Sequence, residues 1–162
     1  MRRAIYAGRQ VVQDLLFCRN TSSHLVGLFV QIQDELKQFQ QPGERPNLYI
    51  ICEGSAQALR PAVQDDVYGI GREALINALR HAHARNIEIA VVFQCNALSL
   101  NVRDDGCGIE PKLVASSNNE HLGLAGIRDK ADRMGARLSI WSAPGCGTEL
   151  EFKVPGSVAF LA

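Results

Sequence analysis

Apolar positions recur at helical spacing in four stretches of the chain. Residues 4–17 and 24–39 show the pattern first, separated by "NTSS", a combination typical of a helix break and N-cap. A third helical pattern runs from Val63 to Ala82, and a fourth occupies residues 123–136, where it begins with glycines and ends at Gly135. The pattern therefore predicts four helices.

Strand patterns alternate with the later helices. "NLYIICEG" (47–54), "NIEIAVVFQ" (86–94) and "ALSLNVRD" (97–104) are strand-like, and residues 137–155 indicate a strand, a Pro/Gly turn and a second strand. Short connections predict hairpins, so we expect an α+β two-layer sandwich with a mixed, mostly antiparallel sheet covered by helices on one face. We expect a helical linker at 1–42, a domain at 43–156 and a tail at 157–162.

Charge and composition narrow the function classes. The 162 residues suit one domain, and 17 basic residues balance 17 acidic ones. A net charge of zero gives no general attraction for nucleic acid or an anionic membrane, so a bound anion needs a local site. No apolar run approaches the ~18 residues of a membrane span, and no signal peptide pattern is present. Five scattered cysteines favour reduced thiols, and we expect a cytoplasmic segment without membrane contact.

The third predicted helix carries a narrow polar stripe on a mostly apolar surface. Glu73, Asn77 and Arg80 stand at i, i+4 and i+7. The simpler explanation is a surface ion pair between Arg80 and Glu73, with Asn77 solvated. The alternative is that a carboxylate, an amide oxygen and a cation face one ligand, which suits a hydrated Mg²⁺ with phosphates.

Three glycine clusters follow that helix. "DDGCG" (104–108) ends a strand, "GLAGI" (123–127) opens a helix, and "PGCGT" (144–148) connects the last two strands. Backbone N–H groups at a helix N-terminus attract anions, and glycine permits a close approach to phosphates. Each cluster alone is weak evidence for a phosphate site, and the last cluster by itself is most simply a hairpin turn. Their order after Glu73 and Asn77 is specific.

This order resembles the N, G1, G2 and G3 boxes of the Bergerat-fold (GHKL) ATPases over about residues 47–155. "REALINALRHAHA", "VRDDGCGI", "HLGLAGIRDKADRMGA" and "SAPGCGTELEFKVP" are most similar to the histidine kinases that work with LuxR/NarL-type response regulators. The resemblance implies a Bergerat fold, ATP binding and protein histidine kinase activity. Residues 1–42 would then be the exit of the dimerisation hairpin.

The resemblance also assigns the base-binding end of the site. Asp104 would accept the adenine amino group, and Asp105 is expected to be only a solvated neighbour. Gly106 and Gly108 would let the chain turn beside the base, with Ile109 next to them, and Thr148 would close the G3 side.

The phosphate end is assigned in the same way. Glu73 would orient or deprotonate the attacking group, Asn77 would hold Mg²⁺, and residues 110–122 would form a lid. The groups expected near the phosphates are side chains at the end of the helix and N–H groups of the second glycine cluster: Arg80 or His81, and Gly123, Leu124 and Gly126.

None of the four histidines (24, 81, 83, 121) has the surroundings of a phosphoacceptor. The resemblance therefore implies a catalytic segment whose partners are ATP, an acceptor helical domain of the same kinase and a downstream response regulator. Two alternatives stay open: an anti-sigma-type serine kinase and a non-catalytic nucleotide-binding module. Cys107 and Cys146 are either tolerated spacers or a redox brake.

Overall fold

The structure, a computed structural model, describes residues 25, 27–32, 46–109 and 123–161. The expected helix at 4–17 and the expected lid at 110–122 lie outside these residues. The described elements, in chain order, are β1 (Asn47–Glu53), α1 (Pro61–His81), β2 (Asn86–Gln94), β3 (Ala97–Asp104), α2 (Leu124–Arg133), β4 (Arg137–Ser142), β5 (Thr148–Pro155) and the short α3 (Gly156–Ala159).

The five strands form one sheet in the order β1-β2-β3-β5-β4. β1 and β2 are parallel, whereas the β2–β3, β3–β5 and β4–β5 pairs are antiparallel. The predicted mixed, mostly antiparallel sheet is therefore confirmed. The bounds of β2 and β3 equal the predicted ones, because alternating branched apolar residues define both strands clearly.

One face of the sheet is buried against α1. Strand residues at alternate positions, such as Ile89, Leu100 and Phe152, are fully buried. They pack in one hydrophobic core with Val67, Ile70 and Leu75 of the helix. α1 begins two residues before the predicted start, at a proline, whose fixed φ suits the first turn of a helix. The apolar arc predicted for this helix is the arc that is buried.

Residues 27–32 are helical, within the stretch 24–39 where a helix was predicted. Leu25, Phe29 and Ile32 share one face and are buried in the core. The Phe29 ring lies against the backbone of Gly71 in α1, and it meets the Tyr68 ring with centroids 5.7 Å apart. The described part of the predicted linker is thus packed onto the helix that carries the polar stripe.

Residues 157–160 pack on the core at the other end of the chain. Ala159 is buried, Phe160 stacks on Phe93, and Leu59 forms a β-bridge with Phe160. The segment predicted as a tail therefore continues the hydrophobic core over these residues. None of the helices in the described residues is both long and apolar enough to cross a bilayer.

Candidate functional site

The polar residues of the site begin with a row across three neighbouring strands. Asp104 ends β3 and is paired with Thr148, the first residue of β5, which is paired in turn with Ser142, the last residue of β4. All three side chains are on the buried face of the sheet, because each is two positions from a residue of that face on its own strand. These neighbours are Val102, Leu150 and Ile140. A carboxylate and two hydroxyls therefore line the edge of the helix-covered face.

Asp104 is a buried carboxylate, with 8% of its surface exposed. Its Oδ1 accepts a hydrogen bond of 2.9 Å from the Gly106 N–H. Burial raises the pKa of Asp104 above its ordinary value, and repulsion by Asp105 adds to this, while the backbone N–H groups of Gly106 and Thr148 act to lower it. A buried acid of this kind gains much from a ligand that donates a hydrogen bond to it.

Asp105 is exposed, as expected, but the expectation that it is merely solvated is wrong. Its Oδ1 accepts bonds of 2.8 and 2.9 Å from the Arg85 and Asn86 backbone N–H groups, and its Oδ2 accepts one of 2.7 Å from Asn86 Nδ2. Desolvation acts to raise the pKa of Asp105, but the bonds from Asn86 and Arg85 bring it below its ordinary value. Asp105 thus ties the end of β3 to the start of β2 and holds its neighbour Asp104 in place.

The first glycine cluster, residues 104–108, is called the G1 loop, and the third, residues 144–148, is called the G3 loop. The G1 loop is packed between the end of α1 and the G3 loop. Gly106 lies so close to Ala82 that a β-carbon would stand 2.6 Å from the Ala82 side chain, and Cys107 donates its N–H to the Ala82 carbonyl at 2.7 Å. On the other side, Gly145 donates its N–H to the Cys107 carbonyl, also at 2.7 Å. Glycine at 106 is therefore required by protein packing alone.

The G3 loop closes on the end of β3 through Gly147. Its φ is +74°, and a β-carbon there would lie 2.9 Å from the Asp104 carbonyl carbon. Gly108 makes a similar approach to Ala143, 2.8 Å from that residue's carbonyl carbon for an added β-carbon. The G1 and G3 glycines therefore interlock the two loops that flank Asp104.

The polar stripe of α1 meets the start of α2. Glu73 and Asn77 are half-buried one turn apart, and the Glu73 side chain lies against Gly123, the N-cap of α2. The first N–H groups of a helix have no intrahelical acceptor, and no side chain among the described residues caps those of α2. Glu73 and Arg80 form no salt bridge within the described part of the chain, so the simpler explanation of the stripe fails in that respect.

The remaining residues predicted for the site differ in their exposure and in their contacts. Arg80 and His81 are exposed in the last turn of α1. Leu124 is buried in the core, so only its backbone can face a ligand. Gly126 is exposed with open space around it, and packing gives no reason for glycine there. Ile109 contributes its N–H to Ser142 at 2.7 Å.

Sequence reasoning missed two residues of this site. Ser142 and Asp105 each join segments that are far apart in sequence, and both look like ordinary loop polar residues. The only available signal was the position of Ser142 at a strand end beside the G3 glycines. Cys107, considered as a spacer, donates its thiol to the His81 carbonyl at 3.3 Å, and the redox hypothesis stays a prediction.

Among the described residues, no group of three or more His, Cys, Asp or Glu side chains could hold a metal ion. Mg²⁺ bound with phosphates needs few protein oxygens, and the Asn77 amide and Glu73 carboxylate on one face of α1 are of the right type. These donors fit a metal that arrives with a phosphate ligand, and they do not form a closed metal cage.

Comparison with known proteins gives consistent results. Residues 62–158 match the family model of histidine kinase-, DNA gyrase B- and HSP90-like ATPases. The chain is 27% identical over 135 residues to the signal transduction histidine-protein kinase/phosphatase DegS of Bacillus subtilis, covering 82% of this chain and 35% of that protein. It is 29% identical over 128 residues to the nitrate/nitrite sensor protein NarX of Escherichia coli, covering 70% of this chain and 21% of NarX.

A solved structure has the same fold. The histidine kinase domain of the Erythrobacter litoralis EL346 blue-light activated kinase superposes with a TM-score of 0.67 at 21% identity, covering 82% of this chain and 61% of that one. The chain spans about a third or less of the length of the two curated relatives.

Proposed function

Because the chain belongs to the family of histidine kinase-, DNA gyrase B- and HSP90-like ATPases, we propose that it is the ATP-binding catalytic domain of a sensor histidine kinase. It binds Mg·ATP and delivers the γ-phosphate to a histidine on a helical dimerisation domain, from which a response regulator is phosphorylated. The similarity to DegS and NarX supports the branch that works with LuxR/NarL-type regulators. The site operates in the cytoplasm.

The observation that carries this proposal is that one end of the site contacts α1 and the other contacts its C-cap residue. Gly106 of the base end packs on Ala82, just after α1, and Gly123 of the phosphate end packs on Glu73. The two contacts are separated by roughly 13 Å along the helix at about 1.5 Å per residue. An extended ligand with a hydrogen-bond donor at one end and an anion at the other fits this arrangement.

At the base end, Asp104 accepts the adenine amino group. Its burial makes the loss of that donor unfavourable, so nucleotides that carry an acceptor in its place are rejected. Thr148, half-buried beside it, completes the polar edge, while Gly106, Gly108 and Ile109 form the loop next to the base.

At the phosphate end, the first N–H groups of α2, from Gly123, Leu124 and Gly126, face the phosphates. Asn77 would hold Mg²⁺, whose charge would neutralise the phosphate oxygens. Glu73 orients or deprotonates the attacking imidazole, which requires reach more than a tuned pKa. Arg80 or His81 approaches the phosphates from the end of α1. Positioning and charge neutralisation are what phosphoryl transfer mainly needs.

Residues 1–42 are proposed as the exit of the dimerisation hairpin, and residues 43–156 as the catalytic domain. The burial of Leu25, Phe29 and Ile32 in the core, with the Phe29 ring against Gly71 of α1, supports a fixed connection between the two. The lid proposed at residues 110–122 would close over the phosphates.

The test of phosphotransfer supplies the acceptor separately. The chain is incubated with Mg²⁺, γ-labelled ATP and a phosphoacceptor helical domain of a sensor histidine kinase, with Glu73→Gln as the matched variant. We expect acid-labile, alkali-stable label on the acceptor with the unaltered chain and at least tenfold less with Glu73→Gln. Acid-stable label would favour a serine kinase, and nucleotide binding without any transfer would favour a non-catalytic module.

A further inference from the structure

Ser142 Oγ is a junction between the G1 and G3 loops. It accepts the Ile109 N–H at 2.7 Å, donates to the Gly147 carbonyl at 3.0 Å, and lies 3.0 Å from Thr148 Oγ1. Ser142 is half-buried, on the row that also contains Asp104 and Thr148.

The direction of the hydrogen bonds follows from counting hydrogens. A serine hydroxyl has one hydrogen and can accept two bonds. The Gly147 carbonyl can only accept, so the Ser142 hydrogen is directed to it. The hydrogen in the contact between Ser142 and Thr148 must then come from the Thr148 hydroxyl.

The bond to Ser142 determines which hydrogen-bonding groups the Thr148 hydroxyl can offer to a ligand. With its hydrogen held by Ser142, Thr148 Oγ1 presents only lone pairs, next to the Asp104 carboxylate, which is itself an acceptor. Two acceptors side by side suit a ligand edge, or a bridging water, that supplies N–H or O–H hydrogens. An edge bearing a carbonyl oxygen finds no donor in these two side chains.

We propose that Ser142 is a specificity-determining positioning residue: by taking the Thr148 hydrogen it makes the base end of the site a pure acceptor, which selects a 6-amino purine over a 6-oxo purine. Ser142 acts through Thr148 and does not need to touch the base. The inference deepens the proposed function and rests on it, because it presumes a purine nucleotide next to Asp104.

The test compares the dissociation constants of ATP and inosine triphosphate (ITP) by competition against a fluorescent ATP analogue. ITP carries an oxygen where ATP carries the amino group. For the unaltered chain we expect ITP to bind at least about a hundredfold more weakly. In Ser142→Ala, the Thr148 hydroxyl is released and can donate to the oxygen of ITP. The dissociation constant of ITP divided by that of ATP should therefore fall by about tenfold. Ser142→Thr, which keeps the hydroxyl on a strand, should restore the ratio.

Two further variants separate specificity from structural support. Ser139→Ala is the matched control, since it makes the same change on β4 but on the opposite face of the strand, and it should leave both constants unchanged. In a Thr148→Val background, Ser142→Ala should have no further effect on the ratio, because the two residues act through one hydroxyl. Thermal melting checks that each variant folds.

The outcomes are distinguishable. If Ser142→Ala weakens the binding of ATP and of ITP by the same factor, Ser142 only supports the loops. That result would overturn this inference while leaving the proposed function intact. An unaltered chain that binds neither nucleotide would overturn the proposed function and this inference together.

Discussion

Gly123 lies directly against the Glu73 carboxylate, so that a β-carbon on Gly123 would stand 2.6 Å from Glu73 Cδ. Gly123 has a φ of +61° and is the N-cap of α2, whereas Glu73 belongs to the polar stripe of α1. The contact fixes the start of one helix against the side of the other. It places the first N–H groups of α2, which no side chain of the described residues caps, beside the only carboxylate predicted to act in catalysis.

Replacing Gly123 by alanine should therefore affect both stability and binding. The positive φ and the collision with Glu73 are expected to lower the free energy of unfolding by about 1–3 kcal/mol. Displacement of the start of α2, whose N–H groups are proposed to face the phosphates, should weaken binding of an ATP analogue at least tenfold. Urea unfolding and equilibrium titration measure the two effects.

Gly126→Ala is the control for stability, because it lies one turn further along α2 with open space around it. Alanine there should raise the free energy of unfolding by up to about 1 kcal/mol through its helix propensity. Equal stability changes in the two variants would contradict the close contact at Gly123.

The packing of Phe29 on Gly71 predicts a strong dependence of the domain on residues 27–32. Phe29 is 0% exposed, and truncation of a buried phenylalanine typically lowers stability by about 3–5 kcal/mol. Phe29→Ala should show this loss in urea unfolding, whereas Gln31→Ala, at an exposed position of the same segment, should stay within about 0.5 kcal/mol. A loss below about 1 kcal/mol in Phe29→Ala would show that the segment does not belong to the core in solution.

Asp105 should stabilise the fold in a pH-dependent way. Its folded-state pKa is lowered, so its contribution is present above the unfolded pKa of about 3.9 and is lost as the pH falls through the folded pKa. Asp105→Asn should lower the free energy of unfolding by roughly 1–2 kcal/mol at pH 7, a value discounted for its exposure. The difference from the unaltered chain should shrink as the pH approaches 3.

Asp65→Asn, at an exposed position in α1, is the reference for removing one surface carboxylate. Guanidinium unfolding at a series of pH values gives the comparison. If Asp105→Asn behaves like Asp65→Asn at pH 7, the three hydrogen bonds of Asp105 contribute nothing to stability, and its role in holding β3 must be abandoned.

Asp104 should show the opposite pH dependence. Its folded-state pKa is raised by burial, so the folded chain binds more protons than the unfolded one between about pH 3.9 and that raised value. Stability from this group therefore declines as the pH rises through the window. Asp104→Asn should remove the decline and be at least as stable as the unaltered chain at pH 7. A loss of more than 1 kcal/mol at pH 7 would contradict this assignment.

Local pattern was sufficient to predict most of the fold. β2 and β3 alternate clearly, and α1 has a long apolar arc, so their identities and nearly all of their bounds follow from the sequence. The site is different, because its contacts join positions far apart in the chain. Asp105 bonds to residues 19 and 20 positions earlier, and Ser142 bonds to one 33 positions earlier. Sequence spacing carries no information about such partners.

The glycines show the same limit in another form. The resemblance assigned Gly106 and Gly108 to the nucleotide, but the structure gives each a protein neighbour, Ala82 or Ala143. A glycine that packs against the chain and a glycine that faces a ligand look alike in a sequence. Only Gly126, with open space around it, is left without a packing reason among the glycines assigned to the site.

The most direct test of the account is a calorimetric titration with a non-hydrolysable ATP analogue and Mg²⁺, on this chain and on Asp104→Asn. We predict saturable binding by the unaltered chain and its loss in the variant, which keeps its fold. Equal binding by both chains would contradict the role of Asp104, and the absence of binding at millimolar analogue, about −4 kcal/mol, would contradict the nucleotide site itself.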